Sequence, residues 1–182
     1  MDKQALRKAV REKKRAMTEE QIREASLRLG ELFLRSEMYQ QAKTLYGYLP
    51  YNQEVRTTAM LQQALSDGKR VAVPKIYGDE MKFIFLDDLS QVEKGYAGIP
   101  EPIADGPVAD DKTALVLMPG LAFTTDGKRM GYGGGFYDRL LAGVEKTPVA
   151  VLYSCQLAPS LPCACHDLPM GIIVTENKVL YC

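Results

Sequence analysis

Short apolar runs, each closed by proline or glycine and separated by stretches of helical spacing, constrain this chain most. Thr44–Leu49 is apolar and aromatic and stops at Pro50. Arg70–Val73 stops at Pro74, Met81–Leu86 follows the Gly78-Asp79 turn, and Thr113–Met118 stops at Pro119-Gly120. Pro148–Tyr153 and Ile172–Thr175 repeat the pattern. Runs this short and this apolar suit strands covered on both faces. Between them lie helical segments. Leu6, Val10 and Met17 keep a helical spacing in a charged background, and Thr18 with Gln21 forms a capping-box pair. Ile22, Ala25, Leu29, Leu32 and Phe33 then line one side of a second helix. Arg56–Ser66 and Phe136–Leu141 read as further helices.

Strands alternating with helices predict an α/β fold, a three-layer open, mostly parallel sheet with helices on both faces. With 182 residues, a single domain spanning the chain is expected. Gly95 to Asp111 is rich in Gly, Pro and Asp and reads as a long loop. Ligands of such sheets bind beyond the carboxyl ends of the strands, which directs attention to the loops after Leu49, Val73, Met118 and Tyr153.

Charge narrows the partners. Lys plus Arg equals Asp plus Glu at 23 each, so no overall field points to nucleic acid or membrane. The first fifteen residues nevertheless carry seven Lys or Arg against Asp2 and Glu12. A local basic segment on a neutral chain suits a small anion better than a long polyanion. The longest apolar run, Ala114–Phe123, is half a membrane span and contains Pro119 and Gly120. With no secretory pattern at the N-terminus, a cytoplasmic monomer or small homo-oligomer is expected. Cys155, Cys163, Cys165 and Cys182 read as incidental thiols, because Cys163-Ala164-Cys165-His166 lacks a second ligand pair for zinc.

Lys128–Arg139 joins four glycines to three basic side chains. Glycine lets the backbone approach a ligand closely, and successive amides can form an anion-binding nest. A helix beginning near Phe136 would add its free amides, and Arg129 and Arg139 would clamp phosphate oxygens from two sides. Taken alone, the loop also fits a glycine hairpin with solvated charges. No two glycines stand five apart, which excludes a Walker A loop, and Phe136 occupies the last glycine of a dinucleotide fingerprint.

The run Met118-Pro119-Gly120-Leu121-Ala122-Phe123, then Asp126-Gly127 and Arg129 to Arg139, closely resembles the signature of the 5-formyltetrahydrofolate cyclo-ligase family. The likeness extends to the basic N-terminal helix, Glu54-Val55-Arg56-Thr57, Gly98-Ile99-Pro100-Glu101-Pro102, and His166-Asp167 with Val174-Thr175-Glu176. It implies ATP as cosubstrate, magnesium, and a folate substrate. By that resemblance Lys3 and Arg7 contact ATP, as do Arg129, Gly131, Tyr132, Gly133, Gly134, Gly135, Phe136, Tyr137 and Arg139. Lys3 and Arg139 are the implied catalytic cations. Leu49 and Glu54, with Tyr132 to Phe136, border the folate, and Asp138 and Asp167 hold the metal. Tyr132 and Gly134 stand where some members carry Arg and Lys, and Gly171 where an Asp is common.

The implied reaction needs positioning and charge neutralisation and no protein nucleophile. Two other classes fit the loop: a sugar-phosphate isomerase or acyl-transfer enzyme, and a non-catalytic nucleotide-binding paralogue. The basic pair Lys3/Arg7 and Asp167 favour the ligase, since a single phosphate site needs neither.

Overall fold

The computed structural model describes residues 3–142, 147–162 and 169–182. Two helices open the chain, α1 (Lys3–Arg15) and α2 (Glu19–Arg35), followed by the short α3 (Glu37–Gln41) and strand β1 (Thr44–Tyr46). Helix α4 (Thr58–Ser66) leads into the hairpin β2 (Arg70–Tyr77) and β3 (Glu80–Leu86). A second small hairpin, β4 (Val92–Lys94) and β5 (Pro100–Pro102), precedes β6 (Leu115–Met118). The ribbon β7 (Ala122–Phe123) and β8 (Arg129–Met130) leads to α5 (Phe136–Leu141). Strands β9 (Thr147–Val151), β10 (Ile172–Val174) and β11 (Val179–Tyr181) complete the order.

Seven strands form one sheet in the order β11-β10-β9-β6-β1-β2-β3. From β10 through β9, β6 and β1 to β2 the pairing is parallel, and only the edge strands β11 and β3 run antiparallel. The mostly parallel α/β architecture expected from the alternating pattern is the one observed. Side chains divide by strand periodicity. Leu45, Leu117, Val149 and Val174 face the α2 and α4 side, where Leu29, Phe33 and Leu61 are fully buried. Tyr46, Val116, Met118, Ala150 and Ile173 face the other way, against Leu141 of α5 and Phe123 of the ribbon. The third layer is therefore thinner than the first, because α5 has six residues.

The capping box forms as expected: Thr18 Oγ1 accepts from the Gln21 amide at 3.2 Å, and the Thr18 amide donates to Gln21 at 2.9 Å. Strand β2 departs from expectation by running through Pro74 to Tyr77. Pro74 stands opposite Phe83, and the Phe83 carbonyl points outward to the Ala109 amide. The pair is thus one that exchanges no ladder hydrogen bonds, and β1 has already ended on the other side. A missing N–H costs nothing there. The 95–111 stretch is also less open than its composition implies. Pro100–Pro102 pairs with Val92–Lys94, and Pro107 and Ala109 bond the outer edge of β3.

The connections diverge at the middle of the sheet. From β1 the chain moves through α4 to β2 on one side, while from β6 it moves through α5 to β9 on the other. That divergence is a topological switch point, and the crevice beyond the strand ends there is the expected ligand position.

Candidate active site

A cavity of about 550 Å³ lies at this switch point. Tyr48 and Leu49 beyond β1, Pro74 and Ile76 of β2, and Pro119 beyond β6 form its floor. The glycine loop from Gly131 to Gly135 and the start of α5 form one wall. Lys3 and Arg7 enter from α1, and Tyr96 and Ile99 from the tip of the β4–β5 hairpin. The side chains Lys3, Arg7, Leu49, Glu54, Arg129, Tyr132, Phe136, Tyr137 and Asp138, separated by up to 135 residues, line one volume together with the glycine backbone.

Helical phase explains the α1 contribution. Leu6 and Val10 pack against Leu121, Ala122, Met130 and Leu161, which fixes the helix over the ribbon. Lys3 and Arg7, four residues apart, then point to the cavity from neighbouring turns. The ribbon itself presents Arg129, which is 7% exposed. Arg129 Nη1 donates to the Pro119 carbonyl at 3.3 Å, and Nη2 pairs with Asp138 Oδ1. Its Nε is buried without a hydrogen-bond partner among the described residues, and so is Arg7 Nε. A buried donor left unpaired costs free energy, and such atoms concentrate where a ligand completes the site.

The loop needs its glycines. Gly133 at φ +114° and Gly135 at φ +65° occupy backbone conformations that other residues adopt with strain. A Cβ on Gly131 would stand 3.0 Å from Arg129 Nη1, inside the space that the guanidinium fills.

Glu54 is held by the Tyr51 amide, which donates to Oε2 at 2.9 Å. Burial pushes its carboxyl above the ordinary carboxylate value, against the opposing pull of that amide, of Lys14 and of the Tyr132 hydroxyl. Burial likewise raises the Tyr48, Tyr132 and Tyr137 hydroxyls, with the Glu54 charge adding to each. These phenols stay protonated, and the Tyr132 hydroxyl hydrogen-bonds to the Glu54 carboxyl.

Two expected sites stand differently. Arg139 does not line the cavity, so the two-sided clamp with Arg129 is not the arrangement found. Its exposed guanidinium donates to the Gly134 carbonyl at 2.9 Å and the Asp79 carbonyl at 3.5 Å, and lies 5.0 Å from the centre of the Phe136 ring. The reason lies in its partners: the two carbonyls and the Phe136 ring hold the guanidinium away from the cavity. Asp167, like Cys163, Cys165 and His166, lies outside the described residues. Among the described residues no cluster of three His, Cys, Asp or Glu forms a metal centre, and no helix is long and apolar enough to cross a membrane.

Sequence reading missed Lys14, which is 6% exposed and donates to the Tyr132 hydroxyl at 3.3 Å. The signal was its position on the Leu6/Val10 side of α1. It also missed Glu101, a buried carboxylate in the cavity wall, whose place was visible only as part of a proline-rich motif.

An open α/β sheet with guanidinium donors and a glycine loop at its switch point suits the class of proteins that bind small anionic ligands. Comparison with known proteins narrows that class. The sequence pattern of the 5-formyltetrahydrofolate cyclo-ligase family matches residues 1–176. The 5-formyltetrahydrofolate cyclo-ligase of Escherichia coli K12 is 31% identical over 180 residues, covering 93% of this chain and 98% of the relative. The solved 5,10-methenyltetrahydrofolate synthetase of Aquifex aeolicus is similar across 100% of this chain and 93% of its own, with a TM-score of 0.89 and 31% identity. A synthetase structure from Mycoplasma pneumoniae shares the fold at a TM-score of 0.78 and 22% identity, over 97% of this chain and 99% of its own. The chain belongs to the 5-formyltetrahydrofolate cyclo-ligase family, and it is a ligase.

Proposed function

We propose that this chain closes 5-formyltetrahydrofolate to 5,10-methenyltetrahydrofolate while ATP is converted to ADP and phosphate, in the cavity at the β1/β6 switch point. One observation carries the reading. Two guanidinium nitrogens, on Arg7 and Arg129, are buried at the same cavity with no partner among the described residues. A polyphosphate supplies the acceptors both lack. Lys3 adds a third cation, and the loop amides from Gly131 to Tyr137 supply uncharged donors.

The formyl oxygen of the substrate is a poor leaving group. In the proposed sequence it takes the γ-phosphoryl group, ADP departs, and the formyl carbon becomes electrophilic. N10 attacks that carbon, loses its proton, and phosphate leaves as the five-membered ring closes. Every atom transferred belongs to a substrate, so the protein positions and neutralises. Lys3, Arg7 and Arg129 hold the phosphates. Leu49, Glu54 and Tyr132 to Phe136 hold the folate, with the Glu54 carboxylate accepting ring N–H donors. Arg139 holds the Gly134 carbonyl turned outward, which keeps neighbouring amides on the cavity side.

The donor set fits a hard cation shared with phosphate. Asp138 offers one carboxylate in the cavity wall beside Arg129, and magnesium commonly takes one or two carboxylates plus phosphate oxygens and water. Asp167 is the proposed second carboxylate. When bound, the cation neutralises charge that develops on the phosphates.

Mixing the protein with 5-formyltetrahydrofolate, ATP and magnesium should produce methenyl absorbance. Arg7→Ala should raise the ATP KM about tenfold or more, the value of a charge-assisted hydrogen bond, with little change in the folate KM. An effect confined to the folate KM would defeat the assignment of α1 to the nucleotide.

A further inference from the structure

Between Gly131 and Gly135 only Tyr132 has a side chain beyond hydrogen. A run so rich in glycine loses more conformational entropy on ordering than other sequences, and nothing within it can pack. Apart from the backbone bond that Arg139 makes to the Gly134 carbonyl, the loop's own side-chain anchor is Tyr132. That residue is 44% exposed, yet its hydroxyl accepts from Lys14 Nζ at 3.3 Å, and the ammonium lies 5.8 Å from the centre of the ring.

Lys14 is an uneconomical residue for a purely packing role. It sits on the face of α1 already carrying Leu6 and Val10, and it is nearly inaccessible to solvent. Burying an ammonium costs more than burying an apolar side chain of the same length, and a methionine would fill the space. Burial lowers the Lys14 pKa, while the Glu54 charge opposes that shift. Tyr132 stands between the two. Its oxygen takes the ammonium proton as a hydrogen bond, which leaves its own proton to be donated toward Glu54, and Glu54 in turn interacts with that hydroxyl.

We propose that Lys14 is a positioning residue for the folate end of the site: through the Tyr132 hydroxyl it anchors the glycine loop and orients the Glu54 carboxylate toward the substrate ring. The proposal rests on the cyclo-ligase reading above and assigns a role to a residue outside the cavity lining. It also gives α1 two tasks. The first turns carry the phosphate cations Lys3 and Arg7, and the last turn carries the anchor.

The test uses the full chain and four variants: Lys14→Met, Lys14→Arg, Tyr132→Phe, and the double change Lys14→Met with Tyr132→Phe. Lys14→Met and Tyr132→Phe should each raise the folate KM about tenfold and the ATP KM by a clearly smaller factor, the latter because loosening the loop also reaches its phosphate-binding amides. The double variant should be no worse than the weaker single variant within about twofold, because both remove the same link. Lys14→Arg, which keeps the charge, should recover most of the affinity. A merely structural lysine would lower the melting temperature and the active fraction without separating the two KM values. If Lys14→Met fails to fold, Tyr132→Phe, at a partly exposed position, decides alone. A wild-type folate KM in Tyr132→Phe, equal rises in both KM values, or additive effects in the double variant would each overturn the proposal. Absence of methenyl product from the unaltered chain would instead overturn the cyclo-ligase reading itself.

Discussion

At the scale of single residues, Glu54 shows how placement changes chemistry. Lys14 faces it from α1, Tyr48 from the end of β1, Tyr132 from the glycine loop, Tyr137 from α5, and Tyr153 donates to its backbone carbonyl at 3.0 Å. Burial outweighs the opposing pull of the Tyr51 amide, Lys14 and the Tyr132 hydroxyl and raises its pKa. A raised folded-state value means that the ionised form is the costly one: the stability contribution is fully present below the ordinary carboxylate pKa and is lost as pH rises through the raised value. Glu54→Gln should therefore raise the melting temperature at neutral pH by a few degrees. If the ionised carboxylate holds the folate, affinity in the unaltered chain should fall as pH drops through that raised pKa. In Glu54→Gln the same limb should vanish and overall affinity should be weaker. Calorimetric titration of 5-formyltetrahydrofolate across pH, beside thermal melts, checks both parts. An unchanged pH limb in the glutamine variant would remove Glu54 from the binding site. Nothing in the local sequence foretold this environment, since Glu54 stands before a helix like any solvated glutamate, and only the family likeness singled it out.

At the scale of elements, sequence legibility followed the range of the determining interactions. The capping box of α2 and the limits of α5 are set by residues within one turn, and both were readable. Pro74 was read as a terminator, although its partner across the hairpin makes it harmless. Strand β11, with Val179, Leu180 and Tyr181, is too short for a period and is defined by its pairing with β10. Lys14 was not singled out in the sequence, because its partner is 118 residues away. Arg139 was placed in the clamp from its spacing, whereas the contacts with Gly134, Asp79 and Phe136 hold it outside. The readable cap makes a prediction of its own. Thr18→Ala removes the acceptor of the Gln21 amide and should cost about 1 kcal/mol. For a chain of this length that lowers the melting temperature by roughly 2–4 °C. The α1–α2 junction is not part of the cavity, so both KM values should stay unchanged.

On the level of the whole molecule, stability and function are distributed unevenly. The sheet and α2 share a large apolar core, while α1 is attached through the small cluster of Leu6, Val10, Leu121, Ala122, Met130 and Leu161. Elements with little buried apolar contact open more readily than the core. Amides of α1 should therefore exchange with deuterium faster than those of α2 in the free protein. ATP at a hundred times its Kd should slow α1 exchange by about a hundredfold, if closing α1 is required for binding. Exchange in α1 that is as slow as in the sheet before any ligand is added would contradict the inference.

On the proposed assignment, that helix spans the two substrates, with Lys3 and Arg7 at its first turns and Lys14 at its last. Whichever substrate arrives first removes disorder that the second would otherwise have to remove. Cooperativity follows without any domain closure, and thermodynamic reciprocity requires each substrate to tighten the other by the same factor.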